Sequence, residues 1–376
     1  MNAFIVDAKR TPIGRSHKEK GVFRGIRADE LLAVLFRDLA KRIKPDAVDD
    51  IYIGCVGQHL EQGKNIARLT ALLAGYPDTI PGVTINRLCG SSLQGFNFAA
   101  QALHCGQAEA LLAGGVEHMD HIGINASIDY HKEMMARYEF PFNTMGLTAE
   151  KVAGMYGISR KEQDEFAVES HRKAVAAQKS GLFDKEIVPV MTGEETVSKD
   201  QCPRGDTNME ALEKLKPAFK EGGTVTPGNS SPLNDGASLT LVATAEMCSR
   251  MGWTRRAEVI DSAIIGLDPL IMGMGPLYAI KKLLERQKMA ISDIDLFEVN
   301  EAFASQAIAC VRELKIPPDK VNICGGAIAL GHPLGCSGTR LITTLLHNLE
   351  RTGGKTGIAS MCIGHGQGIA TLIKRI

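Results

Sequence analysis

Two cysteines and a histidine, each set among glycines and small residues, are the side chains of this sequence best suited to covalent chemistry: Cys89 in NRLCGSS, His332 in GGAIALGHPLGCSG and Cys362 in MCIGHGQG. Cys89 is followed by Gly90, Ser91 and Ser92, then by Leu93, Phe96, Ala100 and Leu103, whose three- and four-residue steps mark one buried helix face, with Gly106 just past its end. Cys89 is therefore expected at a helix N-terminus, where unpaired N–H groups and the positive dipole end favour thiolate over thiol. Taken alone, it reads more simply as an inert buried cysteine at a helix cap. An imidazole at His332 is able to accept a thiol proton near neutral pH and then point an N–H at a developing oxyanion; alone, it reads as a loop histidine held by hydrogen bonds. Cys362 ends an apolar strand and precedes Ile363, Gly364, His365 and Gly366, which predicts a thiol at the strand's C-terminal edge, where α/β sheets place ligands. A second thiol suits proton exchange with a carbon acid or another thiol, against the plainer reading of a core cysteine. Asn300 follows LFEV and heads EAFASQAIACVREL, where helix N-capping is its simplest role.

The elements that must position these groups are those of an α/β protein. Strand-like runs over Ala3–Asp7, Asp50–Cys55, Ala110–Ala113, Leu239–Ala243, Ala257–Ile265, Leu296–Val299, Val321–Cys324 and Gly357–Cys362 alternate with amphipathic helical stretches. From about Met119 to Pro232 the chain turns charged and is broken by Gly and Pro, which predicts an excursion with short, surface-lying helices rather than a separate core. The flanking portions share an order of features. NRLCGSSLQGFNFAAQALHCGQAEALLAGGVEHM and GHPLGCSGTRLITTLLHNLERTGGKTGIASMCIGHGQG both run turn, small residues, helix, Gly, strand and Gly-rich turn, as two copies of one unit would.

Composition bounds the partners. The 376 residues carry 43 Lys+Arg and 43 Asp+Glu, so no global field attracts nucleic acid or an anionic membrane, and no basic site is expected that is not local. No uninterrupted apolar run reaches membrane-spanning length, and MNAFIVDAKRTPIGR enters a strand-like run without the pattern of a leader, so a cytoplasmic protein is expected. The 9 cysteines include no CxxC pair, which argues against a disulfide framework or a structural metal site; no metal is expected.

The four segments NRLCGSS, NEAF from Asn300, GGAIALGHPLGCSG and MCIGHGQG resemble the thiolase family. With VDAKRTPIGR, GGVEHM, MGLTAE and GTVTPGNSSPLNDGAS, the resemblance extends over essentially the whole chain. MGLTAE and the CIG-GQG pattern look more like the degradative bacterial 3-ketoacyl-CoA thiolases (acetyl-CoA C-acyltransferases) than the biosynthetic acetoacetyl-CoA type. The resemblance implies the thiolase fold: two similar βαβαβαββ halves packed as a layered αβαβα core, with a loop-rich insertion in the first half. Residues 1–118 and 233–255 would form the N-terminal half, 119–232 the excursion that binds CoA and the acyl chain, and 256–376 the C-terminal half.

It also implies roles. His332 would activate Cys89 for attack on a 3-ketoacyl-CoA, Cys362 would act as acid and base, and Asn300 would hold a water that completes an oxyanion hole with His332. The backbone N–H groups of Cys89 and Gly364 would form a second hole, while Arg204 would lie against the adenine of CoA and Ser231 would bond its pantetheine. CoA would be substrate rather than tightly bound cofactor, in a homodimer or homotetramer that joins, in some degradative relatives, a hydratase/dehydrogenase subunit in fatty-acid β-oxidation. Pro232 stands where many relatives carry a small residue and His365 where Gly or Leu is usual, and the chain is somewhat short in the excursion. A decarboxylating ketoacyl-ACP synthase would use a second histidine in place of Asn300 and Cys362. A noncatalytic lipid-carrier or scaffold member would be expected to lack one of the four residues, and a Cys–His hydrolase has no use for a second thiol.

Overall fold

A computed structural model describes residues 2–126, 128–193 and 195–376. The first half runs β1 (Ala3–Arg10), β2 (Gly14–Arg15), α1 (Ala28–Ala40), β3 (Asp50–Gly54), α2 (Ile66–Leu73), β4 (Val83–Ile85), α3 (Ser91–His104) and β5 (Ala110–His118). An excursion carries α4 (Lys132–Met135), α5 (Met145–Met155), α6 (Arg160–Lys179), β6 (Val190–Thr192), β7 (Glu195–Val197) and α7 (Met209–Glu213) before β8 (Asn234–Thr244) and α8 (Ala245–Met251). The second half follows as β9 (Ala257–Gly266), α9 (Gly275–Gln287), β10 (Leu296–Val299), α10 (Ala304–Leu314), α11 (Ala327–Leu330), α12 (Ser337–Thr352), β11 (Thr356–Ile363) and β12 (Gln367–Arg375).

One pairing scheme occurs twice. In the first half β3 lies parallel to β5, β5 antiparallel to β8, and β8 antiparallel to β1. In the second half β10 lies parallel to β11, β11 antiparallel to β12, and β12 antiparallel to β9. The halves join edge to edge where Ala3, Phe4 and Ile5 pair with Val259, Glu258 and Ala257. The helix preceding the parallel inner strand of each half, α3 and α12, lies in the middle layer. Leu93, Phe96 and Leu103 of α3 share one buried cluster with Leu341, Leu345 and Leu349 of α12, with Ile5 and Leu111 on one side and Met361 and Ile369 on the other. α1 covers the outer face of the first half through Leu31, Leu35 and Phe36, and α9 covers that of the second through Leu277, Ile280 and Leu283. Helix, sheet, helix, sheet, helix is therefore the layer order.

A helix buried on all sides carries small residues where backbones approach, and α3 holds Gly95, Ala99, Ala100 and Ala102 among its buried positions. The tightest approaches are at glycines: a Cβ on Gly338 would run into the backbone of Leu93, and one on Gly54 into that of Ser92. These contacts bring the start of α3 and the start of α12 to the same place. The excursion is tied back by the fully buried Arg10 of β1, whose guanidinium donates to Asp200 at 2.7 and 2.9 Å and to Glu186 at 2.6 Å.

Two expectations need correction. Val321–Cys324 is not a strand: Val321 makes a single bridge to Phe297, and Asn322 has φ 45°. Its amide instead accepts the N–H of Val299 at 2.9 Å and donates to the carbonyl of Val299 at 2.8 Å, making with a side chain the bonds a neighbouring strand would make. The excursion helices are not all short, since α6 spans 20 residues. Ser159 and Glu162 cap it reciprocally, and Ala167, Ala174 and Ala177 form a buried face hidden among its charges. The middle layer also yields a stability prediction. Gly338→Ala forces a methyl group into the α3 backbone and is expected to cost about 1–3 kcal/mol, read as a lowered urea midpoint at unchanged slope.

Candidate active site

The turn that carries Cys89 is shaped before α3 begins. Leu88 is left-handed at φ 47°, and Asn86 Oδ1 accepts its N–H at 2.9 Å. The Ser91 hydroxyl donates to the Leu88 carbonyl at 2.6 Å and accepts the Arg87 N–H at 2.9 Å, so the turn is closed on both sides. Cys89 follows, partly exposed. Gly90 is needed next to it because a Cβ there would meet the side chain of Ile363, the residue after Cys362. The backbone N–H groups of Gly364 and of Cys89 itself both point at the Cys89 sulfur. Burial outweighs them and pushes the thiol up to about 11. Although Cys89 as a residue is partly exposed, its sulfur end is enclosed, and there burial outweighs the two N–H donors that favour thiolate.

His332 sits buried in the loop ahead of α12. Its backbone N–H donates to Asn234 Oδ1 at 2.9 Å, and the next turn is held by Gly335 N–H on the Glu117 carboxylate at 2.9 Å. Nδ1 lies 2.6 Å from Ser337 Oγ, and that hydroxyl donates to the Pro333 carbonyl at 2.8 Å. Ser337 therefore accepts from His332, the proton sits on Nδ1, and Nε2 is left as a free base. Asn300 Nδ2 stands 3.4 Å from Nε2. Burial first, then the charge of Arg340, lowers the imidazole to about 3, so it is neutral at rest.

Asn300 is not an N-cap. α10 begins at Ala304 with Phe303 before it, and Asn300 instead donates its backbone N–H to Ser360 at 2.9 Å while its buried Oδ1 has no partner among the described residues. Cys362, at the end of β11, is buried and packs with Met145, Ala302 and Phe303. Burial, and then the neighbouring Cys89, drives its thiol well above the usual value. His365 adopts φ 63° and its Nε2 meets the Tyr130 hydroxyl at 3.0 Å, so the ring is engaged with the excursion.

Cys362 and Gly364 thus stand at the Cys89 turn and Asn300 stands at His332, while Gly338 against Leu93 brings the starts of the two helices behind these turns together. Ser231 joins them through its N–H on the Ala302 carbonyl at 3.0 Å, next to the partly buried Pro232. Arg204 does not: it is exposed on the excursion, with its backbone N–H on the buried His171 Nδ1 at 3.1 Å. Three residues that hold the site escaped sequence reasoning. Ser337 sets the His332 tautomer, Asn234 holds its backbone, and Glu117 accepts N–H groups of Val56, Gly57 and Gly335. The one available signal was a carboxylate, Glu117, inside an apolar strand. Among the described residues no group of three His, Cys, Asp or Glu is arranged to hold a metal ion, and no helix is long and apolar enough to cross a membrane. The arrangement suits transfer of a group onto one thiol beside a neutral base, with a second thiol placed to move protons.

Family models described as "Thiolase, N-terminal domain" and "Thiolase, C-terminal domain" match residues 3–246 and 253–375. A 3-ketoacyl-CoA thiolase of Aliivibrio fischeri is 50% identical over 386 aligned residues, which cover 100% of this chain and 99% of that one. One of Citrobacter koseri is 48% identical, over 99% of this chain and 98% of its own. The solved structure of a Bacillus anthracis acetyl-CoA acetyltransferase superposes with TM-score 0.90 at 38% identity, covering 100% and 99% of the two chains. Human mitochondrial 3-ketoacyl-CoA thiolase does so with TM-score 0.91 at 36% identity, over 100% and 98%.

The resting protonation states are testable. With the Cys89 thiol pushed up to about 11 and His332 lowered to about 3, both groups are expected neutral at rest, and the thiolate fraction grows about tenfold per pH unit on the acid side of the thiol pKa. Iodoacetamide alkylation of Cys89 should therefore climb steadily from about pH 6 to pH 9, and a plateau across that range would reveal an ion pair instead.

Proposed function

This chain belongs to the thiolase family, and from that premise we propose that it is a 3-ketoacyl-CoA thiolase in which Cys89 carries the acyl group. The names of its half-identical relatives support the reaction. The observation that carries the assignment of residues is the buried second thiol of Cys362 against the Cys89 turn. Hydrolysis has no use for that second thiol; reversible carbon–carbon cleavage does.

His332 Nε2 takes the Cys89 proton as the sulfur attacks the 3-keto carbon of the substrate. The bond between that carbon and its neighbour breaks, leaving acyl-Cys89 and the enolate of acetyl-CoA. Charge on the enolate oxygen is met by the His332 N–H and by a water held on Asn300, whose free Oδ1 gives it a second anchor. Cys362 then protonates the enolate carbon. The resulting Cys362 thiolate takes the proton of a fresh CoA, whose sulfur attacks the acyl-Cys89 carbonyl. The tetrahedral oxyanion is held by the N–H groups of Cys89 and Gly364, each donor being worth about 3 kcal/mol of barrier. Collapse releases the shortened acyl-CoA and returns the proton to Cys89.

Ser231 and Arg204 are assigned to the pantetheine arm and adenine of CoA. The same reading places the enzyme in cytoplasmic fatty-acid breakdown and makes it a homo-oligomer. The edge strand β4 supports the latter, because a groove of about 470 Å³ lined by Tyr52, Val83, Phe98 and Cys105 lies beside it. Val83 and Phe98, each 42% exposed, offer a second copy an apolar face beside unpaired strand edge.

CoA-dependent cleavage of acetoacetyl-CoA and longer 3-ketoacyl-CoAs tests the activity directly, and Cys362→Ala tests the roles. Loss of the acid–base thiol is expected to slow thiolysis by roughly 100- to 10,000-fold and to abolish deuterium exchange at the acetyl methyl group of acetyl-CoA, with acylation of Cys89 by a simple thioester retained. Methyl exchange at the wild-type rate in Cys362→Ala would remove Cys362 from the mechanism.

A further inference from the structure

The catalytic turn and the excursion are joined by a cluster of rings that the reaction does not use. His365 follows Gly364, whose N–H faces the Cys89 sulfur, so its ring stands one residue from a group that touches the reacting atom. It packs edge-on against Tyr130 and Phe142, with ring centroids at 5.6 and 5.2 Å, and its Nε2 meets the Tyr130 hydroxyl at 3.0 Å. Tyr130 and Tyr138 pack edge-on against Phe142 at 6.0 and 5.1 Å. The polar tips of Tyr130 and His365 satisfy each other, which leaves ring faces and edges as the surface of the cluster.

The side of the site toward CoA is accounted for separately. Met145, Ala302 and Phe303 pack with Cys362, and Ser231 bonds the carbonyl of Ala302. The aromatic cluster faces the turn from the excursion, and the segment leading into it leaves Ile124, Ile128 and Met134 exposed at 50%, 48% and 37%. An apolar chain attached to Cys89 that passed between the excursion and the catalytic turn would meet His365 and Tyr130 first, with Ile124, Ile128 and Met134 exposed on the same part of the excursion.

We infer that Tyr130, Phe142 and His365 form a clasp across the acyl-chain route and that His365 sets the chain-length preference, admitting short 3-ketoacyl groups and hindering long ones. The inference rests on the reading that Cys89 carries the acyl group, and it adds the specificity-determining residue. The backbone at His365, with φ 63°, suits glycine without rearrangement, so removal of the ring is a clean way to open the clasp. Tyr130→Ala opens it from the other side and changes a partly buried residue of the excursion, away from the sheet.

The test is the ratio of kcat/KM for 3-ketodecanoyl-CoA over that for acetoacetyl-CoA, measured in the wild type, His365→Gly and Tyr130→Ala. Each variant is expected to raise the ratio by about tenfold, the low end of the discrimination one methylene gives in an apolar pocket. A ratio within about twofold of wild type in both variants, or a fall in either, overturns the clasp. A role in stability alone would depress both substrates together and leave the ratio in place. A wild-type protein that cleaves neither substrate would sink the thiolase reading instead, so the two failures are distinguishable.

Discussion

The carboxylate of Glu117 is the point on which the geometry of the site depends. It is buried at the end of β5 and accepts the N–H groups of Val56 at 3.0 Å, Gly57 at 2.9 Å and Gly335 at 2.9 Å, with the amide of Gln62 at 2.9 Å as a fourth donor. Two of those N–H groups belong to the loop after β3 and one to the loop that carries His332, so a single side chain fixes second-half backbone against first-half backbone. Burial raises the pKa of such a group and the donors pull it back. Close packing of glycines supplies the rest. A Cβ on Gly335 would meet the carbonyl of Val116 at 2.5 Å, and one on Gly338 would strike α3. The loop that carries the histidine of one half is therefore pinned to backbone of the half that carries Cys89.

Burial governs the chemistry as well as the packing. The same exclusion of water that pushes Cys89 up to about 11 holds His332 down to about 3, so both groups wait in neutral form. In the proposed reaction charge appears only when substrate arrives and would then be met by donors already in place: two N–H groups at Cys89, and on the other side His332 with Asn300. Such donors need no reorganisation as charge develops, which is where preorganised sites gain most. The Ser337 hydroxyl matters out of proportion to its size. By accepting from Nδ1 it keeps Nε2 free to receive a proton.

Much of this was legible in the sequence, for physical reasons that differ from residue to residue. The α3 face beginning at Leu93 was visible because its steps follow the helical period, and the twofold order of features was visible because both copies keep Gly and small residues at their turns. Val321–Cys324 misled because a run of apolar residues does not reveal that Asn322 replaces strand pairing with its amide. The length of α6 was hidden because its buried face is alanine set in a charged sequence. Asn300 read as a cap because nothing local marks the three residues between it and α10. Glu117, Asn234 and Ser337 act across 218, 98 and 5 residues of sequence, and only the last lies within reach of a local pattern.

The central claim is that the acyl group resides on Cys89 and not on its buried neighbour. The direct measurement is brief exposure of the protein to acetoacetyl-CoA in the absence of free CoA, acid quenching, and mass spectrometry of the cysteine-containing peptides. The account predicts an acetyl adduct on the peptide carrying Cys89, discharged on addition of CoA. An adduct on Cys362 or another thiol that turns over with CoA would contradict it.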